Sequence, residues 1–175
     1  HPPLCPGAQK LSGMGQTAEP GGTLIRKMTE ADYPAADRLL MQLHQLHVDG
    51  RPDLYTPLEH LYSFEEFRQL VCDERSICLL AAAGDTVLGL CIAVLKDKSG
   101  MCNIPIAYVE AMIVDAPFRK TGVAAHLFHS AEAEARAHGA RRLDLMVWAF
   151  NQNAISFYQS LGMTMQRMIL EKPIE

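Results

Sequence analysis

Three short stretches of this chain hold residues that could do chemistry. "VDAPFRKTGVAAHLF" (114–128) joins an apolar run to a helical pattern through Arg119, Lys120, Thr121 and Gly122. Backbone N–H groups at a helix start lack partners within the helix and lie at its positive end, so they attract phosphate. Gly122 would let the backbone approach closely, and Ala124 keeps the first turn uncrowded. An ordinary helix start with a solvated Arg and Lys would carry the same residues. No Gly-Lys-Ser/Thr follows at P-loop spacing. The second stretch is "YVEAMIV" (108–114), where Glu110 interrupts an apolar strand. A carboxylate there is costly unless paired or facing water, so Glu110 is expected to open onto a polar cleft or to hold a structural ion pair. The third is "LHQLHVDGRPDLY" (43–55), with His44 and His47 on one helix face, then Arg51 and Tyr55. Zinc needs at least a third protein ligand. Asp49 and Asp53 are candidates in sequence only, and the expectation is no metal.

The elements that must position these groups follow from periodicity. "TLIRKM" (23–28) reads as a strand, and Thr29 caps a helix that stops near Gly50. Ser63-Phe64-Glu65-Glu66 is a capping box for a second helix to about Cys72. Residues 76–83 and 86–97 read as a hairpin turning at Gly84-Asp85, and 104–115 as a third long strand. A helix from about Gly122 to His138 stops at Gly139. Then come a strand over 142–150, a short helix over 153–161, and a closing strand from Gly162. Met112, Met146, Met165 and Met168 fall in strands and read as core filling. Alternation puts Glu110, Met112 and Val114 on one side of their strand, with Tyr108 on the same face. The fold class is α/β, a mixed sheet with helices on both faces. Residues 1–22, rich in Pro and Gly, read as a tail in which part belongs to expression, and 23–175 as one domain.

Two motifs together resemble the GNAT superfamily of acyl-CoA-dependent N-acyltransferases. Arg119-Lys120-Thr121-Gly122-Val123-Ala124 is similar to that family's Arg/Gln-x-x-Gly-x-Gly/Ala pyrophosphate loop, and "NQNAISFYQSLGM" (151–163) to its second signature. The departures are Ala124 for the last Gly, which the family allows, and Met163 for the usual Phe. The resemblance covers essentially the whole domain. It implies a mostly antiparallel sheet with one splayed parallel strand pair. Met112, Ile113 and Val114 would pair with pantetheine by their backbone, and one N–H there would polarise the thioester. Residues 119–124 would hold the pyrophosphate. Asn151 would bond the cofactor arm, with Asn153 as the helix cap. Tyr158 falls at the family's usual acid position, though a half-buried core tyrosine would fit its helix stripe too. The resemblance makes Glu110 a base or an anchor for the substrate amine. It also makes the region of His44, His47, Arg51, Tyr55 and Tyr108 a wall of the acceptor site.

The implied activity is transfer of an acetyl group from acetyl-CoA to a primary amine, small molecule or peptide, by direct attack in a ternary complex. No cysteine lies in either signature, which disfavours a Cys-acyl route. A second reading is an acyl-CoA-binding sensor or regulatory module. A third, a metal-dependent hydrolase on His44 and His47, predicts inhibition by chelators. The composition fits a soluble globular protein: 49% hydrophobic and 21% charged residues. A net charge of −4 argues against nucleic acid as partner. No apolar run reaches membrane-spanning length, so no membrane partner is expected. Five cysteines without a CxxC pair fit a reducing, cytoplasmic compartment. Homodimers are common in the family.

Overall fold

The computed structural model describes residues 22–97 and 103–175. Most of the tail expected over 1–22, with Cys5, lies outside them, as does Cys102. Strands β1 (Thr23–Lys27), β2 (Ser76–Ala83), β3 (Thr86–Lys96), β4 (Ile106–Val114) and β5 (Arg142–Leu145) form one sheet in chain order. β1 to β4 pair antiparallel, while β4 and β5 run parallel. Helices α1 (Tyr33–Gly50) and α2 (Phe64–Cys72) cover one face and α3 (Val123–Ala137) the other, with α4 (Gln152–Ser160) after β5.

β2 and the middle of β3 are buried on both faces, so their sequences are continuously apolar rather than alternating. Leu39, Leu40 and Phe67 pack with Leu80, Leu90 and Ile92 beneath α1 and α2. Leu127, Ala131 and Ala135 pack on Leu79, Cys91 and Val109 beneath α3. Ser63 and Glu66 exchange the two capping-box hydrogen bonds the sequence foretold.

β4 carries a bulge. Ile92 pairs with Ala111 and the next residue, Ala93, with Val109, so Glu110 is the extra residue. The bulge inverts the pleat, which overturns the single-face assignment made from alternation. Ala107 and Val109 join the α3-side core, whereas Ala111 and Ile113 join the α1/α2-side core. Tyr108 therefore points to the face opposite Met112 and Val114. The parallel ladder to β5 also ends there, with Val109 opposite Leu145.

Beyond the bulge, β3 approaches β4 closely at Gly89. A Cβ on Gly89 would lie 2.8 Å from the Ile113 carbonyl oxygen and 3.2 Å from the Val114 Cα, both main-chain atoms. Gly89→Ala is expected to cost about 1–3 kcal/mol by overpacking. The loss should be read as a lowered denaturant midpoint; an unchanged midpoint would mean that the strands separate freely.

Two expectations at the C-terminal end fail. The strand expected over 142–150 ends at Leu145, and no strand forms beyond Gly162. Met146, Met165 and Met168 are 71–75% exposed rather than core, because their segments lie outside the sheet. Only Met112 of the four packs against the core. Cys72 is disulfide-bonded, and Cys78 and Cys91 are buried free thiols. The disulfide at Cys72 runs against the expectation of a reducing compartment drawn from the cysteine pattern.

Candidate active site

The loop between β4 and α3 is built around two left-handed residues, Lys120 (φ 62°) and Gly122 (φ 88°). Positive φ at alternate residues is the backbone of loops that gather N–H groups into one concavity, so this loop and the start of α3 form a candidate anion cradle. The Thr121 hydroxyl donates to the Phe118 carbonyl and closes the turn. Residues 119–122 are exposed, while Val123 is buried.

The Arg119 side chain does not project from this cradle. Its Nε donates to the Val114 carbonyl at 3.1 Å and its Nη2 to Gln42 Oε1 at 3.0 Å. Gln42 in turn donates to Asp115 Oδ1 at 3.1 Å, and Arg38 donates to Asp115 Oδ2 at 2.8 Å. The Gln42 hydrogen bond outweighs burial and, with Arg38, holds the Asp115 carboxyl below the usual carboxylate range. This chain ties α1 to the end of β4 and fixes the cradle's base. Sequence reasoning passed over Asp115, Arg38 and Gln42; the only signal was a carboxylate immediately after an apolar strand.

Glu110, at the bulge, is exposed. Burial, reinforced by the Glu110 charge, raises the phenols of Tyr62 and Tyr108. Glu110 is thus felt on the α1/α2 face, among tyrosines. No ion pair of Glu110 occurs among those of the described residues. Lys96 lies 4.6 Å over the Tyr108 ring.

Tyr158 belongs to the other face. Its ring packs 5.2 Å from Phe157 and 6.2 Å from Phe128 of α3. Burial raises its phenol further, with a smaller contribution from Cys91. It is therefore a protonated hydroxyl at any ordinary pH. Asn151 caps α4, its Oδ1 accepting from the Ala154 N–H at 3.2 Å. The cap expected at Asn153 is thereby corrected: Asn153 is an exposed residue within the helix, two residues past the cap position.

The histidine stretch packs into a cluster of rings with Trp148. His44 is buried and its Nε2 meets the Thr56 carbonyl at 2.7 Å. His47 stacks on Tyr55 at 5.5 Å, and burial, with His44 beside it, lowers its imidazole toward the neutral form. Arg51 binds Asp53 and Glu171 through two hydrogen bonds each and lies 5.0 Å over the Trp148 ring. Trp148 donates to the Tyr55 hydroxyl at 3.2 Å. Tyr55 is half-buried, while Leu54 is exposed. Among the described residues no cluster could hold a metal ion. Trp148 and Phe150 fall in the segment expected as a strand, which β5 does not reach. Phe150 covers Gly50 so closely that a Cβ there would lie 2.3 Å from the ring. The end of α1 thus braces the segment leading into α4.

A mostly antiparallel sheet whose parallel pair β4–β5 parts at the bulge, with helices on both faces, is the scaffold of an acyltransferase. The Acetyltransferase (GNAT) family model matches residues 40–163, and the chain belongs to that family. A point mutant of the BH1408 protein from Bacillus halodurans shares 27% identity over 86% of this chain and 99% of its own, with a TM-score of 0.82. AAC(6')-Iy in complex with the bisubstrate analog CoA-S-monomethyl-acetylneamine superposes with a TM-score of 0.67 at 22% identity, covering 87% of this chain and 98% of that one. An aminoglycoside acetyltransferase from an uncultured soil metagenomic sample, in complex with trehalose, gives 0.66 at 16% identity over 88% and 96%. Comparison with curated protein sequences finds no match. No helix of the described residues is long and apolar enough to cross a membrane.

Proposed function

We propose that the protein is an N-acetyltransferase that moves an acetyl group from acetyl-CoA to a primary amine, on a small molecule or a peptide, within a ternary complex. The observation that carries this reading is the bulge at Glu110. It ends the β4–β5 ladder, so that β4 has unpaired backbone beyond it, and it turns Glu110 to the face opposite Tyr158.

In this reading pantetheine lies along Met112, Ile113 and Val114, and its pyrophosphate sits in the cradle of residues 119–124. One strand N–H polarises the thioester carbonyl. The amine arrives from the α1/α2 face, past the wall of Tyr55, Arg51, His47 and Tyr108, with His44 supporting it from behind. Its nitrogen attacks the carbonyl carbon as Glu110 takes its proton. The carbon–sulfur bond then breaks, and Tyr158 protonates the departing thiolate. A covalent route through Cys78 or Cys91 is disfavoured, since burial pushes both thiols up to about 12. Arg119 acts as a brace, leaving the diphosphate to the backbone N–H groups and Lys120. Asn151 has its amide nitrogen left for the cofactor arm. A cytoplasmic location accords with a donor drawn from metabolism.

The test is release of free CoA from acetyl-CoA, separated by chromatography, across a panel of amines, aminoglycosides and peptides. With an active amine in hand, Glu110→Gln should lower kcat/KM about a hundredfold near neutral pH. The deficit should shrink as pH rises and the amine loses its proton without help. A constant deficit at all pH values would make Glu110 an anchor rather than a base. Tight acetyl-CoA binding with no amine accelerating release would favour the sensor module.

A further inference from the structure

We infer that the far end of α3 holds a second anion site, separate from the cradle, which takes a phosphate-type dianion. The last turns of α3 and the start of β5 line a pocket of about 370 Å³ that opens to solvent. Arg136 comes from the helix, and Arg141 and Arg142 come from the link into β5 and its first residue. Glu132 stands beside them, and Ala135 and Leu143 supply apolar lining. Three guanidiniums against one carboxylate leave two positive charges there, in a chain whose net charge is −4. Charges of one sign gathered in this way repel one another unless an anion joins them.

The donors of this cluster are available. Elsewhere in the chain, Arg26, Arg38, Arg51 and Arg68 each hold a carboxylate at 2.8 Å. In the pocket, Arg136 comes no closer to Glu132 than 3.7 Å, and Arg142 lies 3.4 Å from Asp144. Arg141 has no ion pair among those of the described residues. Only its main-chain N–H is engaged, donating to the Pro105 carbonyl at 2.9 Å. The carbonyls at a helix end ordinarily oppose an anion. Here those of Glu134, Ala135 and Arg136 already accept from the N–H groups of His138, Ala140 and Gly139, which blunts that opposition.

The chemistry of the lining selects the ligand class. A guanidinium fork matches phosphate oxygens in bidentate pairs. A phosphate monoester carries about −1.5 to −2 charge near neutral pH, which balances the two positive charges of the lining. The pocket has room for a small organic body besides the phosphate group, and Ala135 and Leu143 suit one. The acyl donor's diphosphate is not this ligand. The helix begins at the cradle, and Arg136 lies thirteen residues along it from Val123, roughly 20 Å at 1.5 Å per residue. A diphosphate seated on residues 119–124 does not extend so far.

The experiment is calorimetric titration of inorganic phosphate into the full chain at low ionic strength, where screening is weak. The wild type should bind with a millimolar dissociation constant, and Arg141→Ala and Arg142→Ala should each weaken that binding about tenfold or more. Arg68→Ala removes an equal charge from α2 and should change nothing. Arg141 and Arg142 are exposed, so their variants should keep the circular dichroism of the wild type. Succinate, with two flat carboxylates in place of one tetrahedral group, should bind more weakly than phosphate. Absence of phosphate binding, or binding that survives both arginine variants because it belongs to the cradle or elsewhere, overturns the proposal. An equal loss in Arg68→Ala would reduce the effect to general charge and overturns it too. A preference for succinate overturns the phosphate class.

Discussion

Gly122→Asp is expected to abolish binding of CoA while leaving the fold intact. Gly122 has φ 88° at the start of α3, and a Cβ built there meets nothing within 4 Å. Space is therefore not the obstacle. Asp and Asn tolerate left-handed backbone better than other side chains, so the strain should stay near about 1–2 kcal/mol. The decisive effect is charge. A carboxylate would stand where the first N–H groups of α3 and the Lys120 turn are proposed to meet a diphosphate, and like charges in contact cost several kcal/mol. Calorimetric titration with CoA should show affinity falling about a hundredfold or more. Gly122→Asn has the same backbone preference without the charge and should retain most of the affinity. Equal losses in both variants would assign the effect to loop geometry, and unchanged affinity in both would place the pyrophosphate elsewhere.

Tyr158→Phe should lower kcat about a hundredfold or more at saturating acetyl-CoA with little change in its KM. The ring's contacts with Phe128 and Phe157 survive this substitution, so packing is preserved and only the hydroxyl is removed. Because burial raises the phenol above its ordinary value of 10.0, it stays protonated through the whole assay range. The sign of that shift has a consequence. A group protonated at every working pH can donate to the thiolate throughout, so loss of the hydroxyl should scale the pH–rate profile down without removing a limb below pH 10. An intact kcat would make Tyr158 a core tyrosine of α4. A lost limb would mean that its hydroxyl titrates in the free enzyme, against the burial seen here.

The cradle was readable in the sequence because it is local. Arg119 to Ala124 are consecutive, and left-handed turns and helix starts are properties of short segments. The same holds for the capping box at Ser63 and the hairpin at Gly84, whose residue types fix backbone angles without outside help. The cap of α4 was misassigned between Asn151 and Asn153 because either asparagine can cap, and only the helix's actual first turn decides.

Where β4 parts from β5 was not readable. Period-two alternation assigns every other residue of 108–114 to one face, and nothing within the strand announces a bulge. Which residue is extra depends on the register against β3, a long-range pairing. That register turned Tyr108 away from Met112 and Val114. The closing segment failed for a related reason: its residues have the composition of a strand, but a strand needs a neighbour to bond. Arg119 shows the same limit at the level of one side chain. Its place in the motif follows from sequence, whereas its use as a brace follows from Gln42, which α1 brings from 77 residues away. Local conformational preference made the two family motifs, the elements from β1 to α4 and the backbone of the 119–124 loop legible in the sequence, though not the end of β5 or the segment after α4. The tertiary structure decided which face each catalytic candidate serves, because facing is fixed by pairing between distant strands.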